Sequence, residues 1–115
     1  MRFTESLRKN RQFQEVYKTG KSRANKYLVM YVSENHQEKN YLGISVSKKV
    51  GNSVVRHRVK RLVKESYRLH EDIFNSGLII VITARASSAS ITYQEMESAV
   101  LHLGKLHGIT MKKSE

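Results

Sequence analysis

Apolar positions recur at three- and four-residue intervals from about Asn52 onward, which is the spacing that places side chains on one side of an α-helix. The side that we expect to be buried carries Val55, Val59, Leu62, Val63, Ser66 and Leu69. Gly51 provides a tight turn immediately upstream, and Asn52 is suited to cap the first turn of the helix. The pattern therefore predicts a capped helix of about four turns.

Two further helices are indicated by their end signals. Asn10 is suited to cap a short helix over residues 11–18, with Gly20 ending it. Thr92 and Glu95 have the spacing of a capping box, ahead of a helix whose inward positions are Met96, Ala99, Val100 and Leu103.

Strand patterns fill the remaining apolar segments. Residues 27–32 and 41–47 are separated by a polar turn, which predicts an antiparallel hairpin. Residues 78–82 form an unbroken apolar run, typical of a central strand that is buried on both faces.

The order α-β-β-α-β-α predicts one α+β domain over residues 1–115, a small two-layer sandwich with helices on a sheet. Residues 1–8 and 109–115 are expected to be frayed. The segment 41–82 is expected to form two parallel strands around the helix that begins near Asn52, and the usual hand of such a crossover is right.

The exposed side of that central helix is strongly cationic. Its charged or polar positions form what we call the cationic strip: Arg56, His57, Lys60, Arg61, Lys64 and Arg68. A solvated helix face normally mixes charges of both signs, but Glu65 is the only acid between residues 47 and 68, against eight Lys or Arg. We therefore favour an anionic partner over simple solvation.

Composition narrows the class of that partner. The 115-residue chain has a net charge of +11 and a pI near 10.1, which indicates nucleic acid or an anionic membrane. The apolar side of the central helix is mainly Val, which suits packing on a sheet better than insertion into lipid. There is no cysteine, and no apolar run is long enough to span a bilayer, so we expect a soluble cytoplasmic protein.

Catalytic chemistry is poorly represented. Asp72 is the only aspartate and the nine glutamates are scattered, so no metal-binding cluster of carboxylates is predicted. His57, His70, His102 and His107 are available for acid–base chemistry, but their spacing does not place them together.

Aromatic residues accompany the basic ones. Phe13 and Tyr17 are one turn apart on the first helix, while Tyr27 and Tyr31 alternate onto one face of a strand. Such rings can stack on unpaired bases while Lys and Arg contact the phosphates. Packing in the core is the ordinary alternative for each ring, and Phe13 with Tyr31 is the pair that we favour for RNA contact.

These residues closely resemble the protein subunit of bacterial ribonuclease P over residues 8–103. The resemblance rests on the segments FQxVYxxG at 13–20, AN at 24–25, LGISVSKK at 42–49, GNSV at 51–54 and RxRxKR at 56–61. It implies a ribosomal-protein-S5-like fold with an unusual left-handed strand–helix–strand crossover, which opposes the default hand.

The resemblance also implies a function. In that family a large RNA uses Mg²⁺ to remove the 5′ leader from precursor tRNA, and the protein is a cofactor that is a monomer when free and binds no metal itself. The implied contacts with the catalytic RNA are Asn52, Arg56, His57, Arg58, Lys60, Arg61, Lys64 and Arg68. The implied contacts with the leader are Phe13, Tyr17 and Tyr31, with Lys48 and Lys49 at the edge of the cleft.

Two residues depart from the family pattern. His57 stands where Asn is usual, which changes the available hydrogen bonds, and Lys64 stands where Arg is common, which replaces a bidentate fork by a point charge. Two other functions remain open from composition alone: a structural RNA-binding protein of ribosomal type, and a self-sufficient ribonuclease that uses histidines.

Overall fold

A computed structural model of the chain describes residues 1–111. These residues form five strands and three α-helices. The elements are β1 (Thr4–Ser6), α1 (Asn10–Thr19), β2 (Lys21–Ala24), β3 (Leu28–Glu34), β4 (Asn40–Val46), α2 (Ser53–Leu69), β5 (Leu78–Ala84) and α3 (Tyr93–His107). The predicted α+β class is confirmed, with β1 and β2 as additional strands.

The strands form one mixed sheet in the order β1-β4-β5-β3-β2. The apolar strand β5 is the middle strand of the five, as predicted. Its residues are buried or half-buried on both faces of the sheet, which explains its unbroken apolar sequence. It pairs in parallel with β4 and antiparallel with β3, so the predicted hairpin between β3 and β4 is wrong: β5 lies between them. The expected parallel pair around α2 is confirmed, and the hand of that crossover stays a prediction.

Helices cover both faces of the sheet. Helices α2 and α3 pack on one face, where Val63 and Met96 join Met30 and Ile80 in the main core. Helix α1 packs on the opposite face, where Val16 and Val81 form a smaller cluster. The structure thus adds a third layer, α1, to the predicted two-layer sandwich. No helix within residues 1–111 is long and apolar enough to cross a membrane.

The helix ends follow the predicted signals closely. The side chain of Asn52 caps α2 by accepting from the backbone N–H of Val55 at 3.0 Å. Thr92 and Glu95 form the predicted reciprocal capping box of α3. Helix α1 begins one residue early, because Asn10 is its first residue and Lys9 its N-cap.

The N-terminus is ordered by a buried carboxylate. Glu71, only 5% exposed, accepts the backbone N–H groups of Arg2 and Phe3 at 2.8 and 3.0 Å. This anchors β1 in parallel pairing beside the start of β4. Residues 1–8 were expected to be frayed, and the structure instead places Thr4–Ser6 in the sheet.

The C-terminal segment was also expected to be frayed from residue 109. Ile109 is buried, and Thr110 bridges to Phe74. The rest of that predicted segment, residues 112–115, lies outside the described residues.

One predicted core position on α2 is wrong. Leu69 is 51% exposed, whereas Tyr67 is fully buried. Tyr67 lies one turn after the buried Val63, so it takes the inward position of the last turn. Its hydroxyl bonds to Thr4 and accepts from the side chain of Asn40, which gives the buried phenol its polar partners.

Candidate nucleic-acid interface

A cleft of about 580 Å³ lies between α1, the second half of β4 and the first half of α2. Three sets of side chains line it. The α1 side provides Arg8, Asn10, Phe13, Gln14 and Tyr17; β4 provides Ile44, Ser45 and Val46; α2 provides Ser53, Arg56, His57 and Lys60. The cleft therefore combines an aromatic wall with a basic wall.

The aromatic wall belongs to α1. Phe13 and Tyr17 are one turn apart and their ring centroids are separated by 6.5 Å. Tyr31 meets Tyr17 edge-on at 4.9 Å but does not itself line the cleft. Of the three aromatic residues predicted to contact the leader, Phe13 and Tyr17 therefore face the cleft, and Tyr31 supports Tyr17 from the sheet.

Gly43 allows Phe13 to lie directly on β4. A Cβ atom at position 43 would stand 2.7 Å from two carbon atoms of the Phe13 ring and 3.2 Å from Leu7. No larger residue fits without moving the ring. The glycine in the LGIS segment is thus explained by the close approach of an aromatic side chain.

The basic wall belongs to α2. His57 and Lys60 are exposed and line the cleft, while Arg56 is half-buried and donates through Nε to the carbonyl oxygen of Gly51 at 3.2 Å. Arg8, which precedes α1, adds a fourth basic residue from the other side. The charges of Arg8, Arg56 and Lys60 create a positive potential at the entrance, where a phosphate backbone would be attracted.

The basic surface continues beyond Phe13 toward the N-terminus. A second cavity of about 460 Å³ shares Arg8, Phe13, Ile44 and Lys60 with the cleft and adds Lys64, together with one acid, Glu5, which is paired with Lys39. The two cavities form one groove along β4. Arg61 is exposed on α2 as well.

Besides Arg56, three residues predicted to contact the catalytic RNA make internal bonds. Nη2 of Arg58 donates to the carbonyl oxygen of Ile91 at 2.6 Å, so this side chain ties α2 to the segment before α3 and lies outside the cleft lining. Arg68 forms a two-point ion pair with Glu65. Asn52 is engaged as the cap of α2. The exposed and otherwise uncommitted part of the cationic strip is therefore narrower than its sequence suggests.

The pair Lys48 and Lys49 lies in the turn between β4 and α2, and both residues are exposed. Neither lines the cleft itself, although Val46 and Ser53 on either side of the turn do. Lys48 and Lys49 therefore lie beside one end of the cleft.

The edge of β4 was not foreseen from the sequence. Strand β1 covers β4 only at residues 40–42, where Asn40 donates to Phe3 and Leu42 accepts from Leu7. Backbone groups alternate in direction along a strand. Those of Ile44 and Val46 therefore point to the same side and face the cleft. Only the long-range pairing of β1 reveals this edge.

The histidines contact separate partners. His70 pairs with Glu97 at 2.7 Å, and Nε2 of His107 donates to the carbonyl oxygen of Met30 at 2.8 Å. Nδ1 of His102 accepts from the amide of Asn25, which leaves His57 as the one histidine in the cleft lining. Within residues 1–111, no three His, Asp or Glu side chains are grouped as metal ligands. The arrangement is suited to holding an anionic strand.

Comparison with known proteins identifies relatives over nearly the whole chain. A family model described as Ribonuclease P matches residues 1–107. The ribonuclease P protein component of Lachnoclostridium phytofermentans is 64% identical over 106 residues, which cover 92% of this chain and 91% of that protein. The corresponding protein of Alkaliphilus metalliredigens is 52% identical over 103 residues, which cover 90% and 93%.

Solved structures agree with the sequence relatives. The RNase P protein of Staphylococcus aureus superposes with a TM-score of 0.85 at 33% identity, covering 91% of this chain and 96% of that one. The RNase P protein of Thermotoga maritima gives a TM-score of 0.80 at 28% identity, with 87% and 96% covered.

Proposed function

We propose, since this chain belongs to the ribonuclease P protein family, that it is the protein subunit of a ribonucleoprotein that removes the 5′ leader from precursor tRNA. It binds the catalytic RNA and the single-stranded leader, and it promotes Mg²⁺-dependent cleavage that the RNA performs. This proposal joins the family membership to the geometry of the cleft.

The cleft carries the proposal. Phe13 and Tyr17 provide ring faces on which unpaired bases can stack, and stacking of this kind tolerates any base identity. His57 and Lys60 face them from α2 and can contact the phosphates of the same strand. A leader of variable sequence requires this combination of non-specific stacking and charge.

Helix α2 then serves two RNA partners. Lys60 lines the cleft, whereas Arg61 and Lys64 lie further along the exposed part of the helix, where they can reach the backbone of the catalytic RNA. Cationic side chains between the two RNAs offset the repulsion of their phosphates. If about six phosphates are engaged, the logarithm of affinity should fall with that of salt concentration with a slope of roughly −4 to −5.

The residues of the cleft do not suit a magnesium ion. Mg²⁺ prefers carboxylate and other oxygen ligands, but the charged side chains that line the cleft are all basic. We therefore assign the metal ions to the catalytic RNA and the substrate. The protein lowers the concentration of Mg²⁺ that cleavage requires because its own cations replace part of the counterion atmosphere.

Photocrosslinking tests leader binding directly. A precursor tRNA with 4-thiouridine in its leader would be irradiated with the reconstituted ribonucleoprotein, and the attached peptides would be mapped. We expect attachment to the α1 and β4 segments around Phe13 and Ile44, and its loss when excess unlabelled precursor competes. Attachment only to α3, or equal competition by mature tRNA that lacks a leader, would contradict the assignment of the cleft.

A further inference from the structure

A second group of cations lies at the opposite edge of the sheet from the cleft. Its members are Lys21 and Arg23 on β2, Lys26 in the following turn, and Lys105 on α3, and we call it the α3–β2 surface. All four residues of β2 are exposed, and so are Lys26 and Lys105. The neighbouring acid on this surface is Glu95.

The register of β2 places its two cations on one face. Lys21 is opposite Val32 and Arg23 is opposite Met30, and both partners belong to the core under α2 and α3. Lys21 and Arg23 therefore point toward the side of the sheet that α3 covers. Burial lowers the pKa of His107 at the end of α3, and the nearby charges of Arg23 and Lys21 lower it further.

The turn after β2 extends this surface along α3. The side-chain amide of Asn25 donates to the carbonyl oxygen of Ala99 and to His102, which fixes the turn against the helix. A shallow groove of about 480 Å³ follows, lined by Lys26, Tyr27, Ser98 and His102 among others. The ammonium of Lys26 lies 5.3 Å from the centre of the Tyr27 ring. Cations and an aromatic ring are thus adjacent, as they are in the cleft.

Local explanations account for part of this charge. Lys and Arg on an edge strand prevent pairing with another chain, and a Lys in the last turn stabilises a helix. Neither effect applies to Lys26 and Tyr27. These residues belong to the same surface because Asn25 holds their turn against α3. The charge is only partly balanced, because the groove is lined by one acid, Glu95, whose pKa is lowered by hydrogen bonds with Thr92 and also by the charge of Lys26.

We infer that the α3–β2 surface is a second RNA-binding surface, and that its partner is the RNA subunit. This inference rests on the proposed function. Three strand spacings, or about 14 Å, separate β2 from β4 within the sheet, and the molecule measures 37 Å along its longest axes. A leader held in the cleft leaves the protein on the β4 side, whereas a large folded RNA can contact both edges. The protein would then be clamped between two parts of its RNA.

Charge reversal tests this inference. The double variant Lys21→Glu/Arg23→Glu keeps a charged edge on β2, so protection against strand pairing is preserved. Its matched control is Arg11→Glu/Lys18→Glu, at two exposed residues of α1 that do not line the cleft. Each pair replaces two positive charges by two negative ones, which takes the net charge from +11 to +7. Monomeric size and circular dichroism would be checked for both.

The affinity of each protein for the RNA subunit would be measured without substrate over a range of salt concentrations. We expect Lys21→Glu/Arg23→Glu to lose about tenfold in affinity at 0.15 M salt and to flatten the salt slope by roughly 1.4–1.8, as for two phosphate contacts. The control should change affinity less than threefold. Equal losses in both pairs would overturn the inference, since net charge would then explain them.

A tethered cleavage reagent provides a second readout that leaves the cations intact. The chain has no cysteine, so Ser98→Cys and Glu38→Cys each provide a unique attachment site. We expect the reagent at position 98 to cut the RNA subunit at a discrete site, and the reagent at position 38 not to cut that site. No cutting from position 98, or cutting of the precursor alone, would refute the assigned partner. Failure of the wild-type protein to activate the RNA would instead refute the proposed function.

Discussion

Replacing Gly43 by Ala should push Phe13 out of position and weaken leader binding. The added Cβ would lie 2.7 Å from the ring, whereas ordinary contacts begin near 3.4 Å. The ring must therefore retreat by about 0.7 Å, the difference between these two distances. Backbone holds the glycine on β4, so the side chain of Phe13 is the group that moves.

The magnitude follows from overpacking and from stacking. Overpacking of this kind costs about 1–3 kcal/mol of stability. Complete loss of one base stack costs about 1–3 kcal/mol of binding free energy, which is roughly 5- to 150-fold in affinity. Phe13→Ala should reach this range, and Gly43→Ala should lose less because the ring is displaced and not removed.

The assay is equilibrium binding of precursor tRNA to the reconstituted ribonucleoprotein, with a long leader and with a leader of one nucleotide. The ratio of the two affinities isolates the leader. Both single variants should reduce this ratio, and the double variant should match Phe13→Ala, because the clash disappears with the ring. Independent, additive effects of Gly43→Ala and Phe13→Ala would refute the reasoning that the two positions act through one contact.

Three other substitutions have distinct expected results. Lys60→Ala with Lys64→Ala should flatten the salt slope of RNA binding by roughly 1.4–1.8, measured by filter binding, and an unchanged slope would remove both residues from the phosphate contacts. Arg58→Ala should mainly lower the melting temperature, because the carbonyl oxygen of Ile91 loses its donor at a cost of about 1–3 kcal/mol, and a pure loss of RNA affinity would contradict this. Burial raises the pKa of Glu71, but hydrogen bonds from Thr4 and the backbone of residues 2 and 3, with the N-terminal ammonium, bring that pKa below its ordinary value of 4.5. The stability that Glu71→Gln removes should therefore be full at neutral pH and be lost as the pH falls below 4.5 and through the lowered pKa of Glu71, and a pH-independent difference in thermal unfolding would argue against a charged anchor.

Local signals in the sequence predict the helices well. The cap of α2 at Asn52 and the capping box of Thr92 and Glu95 depend on residues within one turn, so they can be recognised without tertiary information. The central position of β5 follows from its unbroken apolar run. Each of these features depends on residues that are close together in the sequence.

Features that depend on distant partners could not be predicted in the same way. Strand β2 is exposed at all four positions, so it has no alternating pattern, and its pairing with β3 decides its conformation. Strand β1 is anchored through the preceding residues Arg2 and Phe3, which bond to Glu71, 69 and 68 residues further along the chain. The polar segment between β3 and β4 resembles a hairpin turn. In the sheet, however, β5 lies between the two strands and pairs with both of them, antiparallel with β3 and parallel with β4.

The candidate site shows the same division. Phe13, Tyr17, His57 and Lys60 were identified from spacing and resemblance, and the structure brings them to one cleft. The position of Arg58 outside the cleft could not be predicted, because its side chain donates to the carbonyl oxygen of Ile91, which is 33 residues away in the sequence. A helical pattern gives the direction of a side chain, but only the fold shows which polar groups it meets.

Cleavage of precursor tRNA at low Mg²⁺ decides whether this chain acts as the cofactor of a catalytic RNA. Three samples are compared: the protein alone, a bacterial ribonuclease P RNA alone, and the two together. We expect cleavage at the mature 5′ end only in the combined sample. Cleavage by the protein alone, or no gain over a cognate RNA despite demonstrable RNA binding, would contradict this expectation, and the second result would favour a purely structural RNA-binding role.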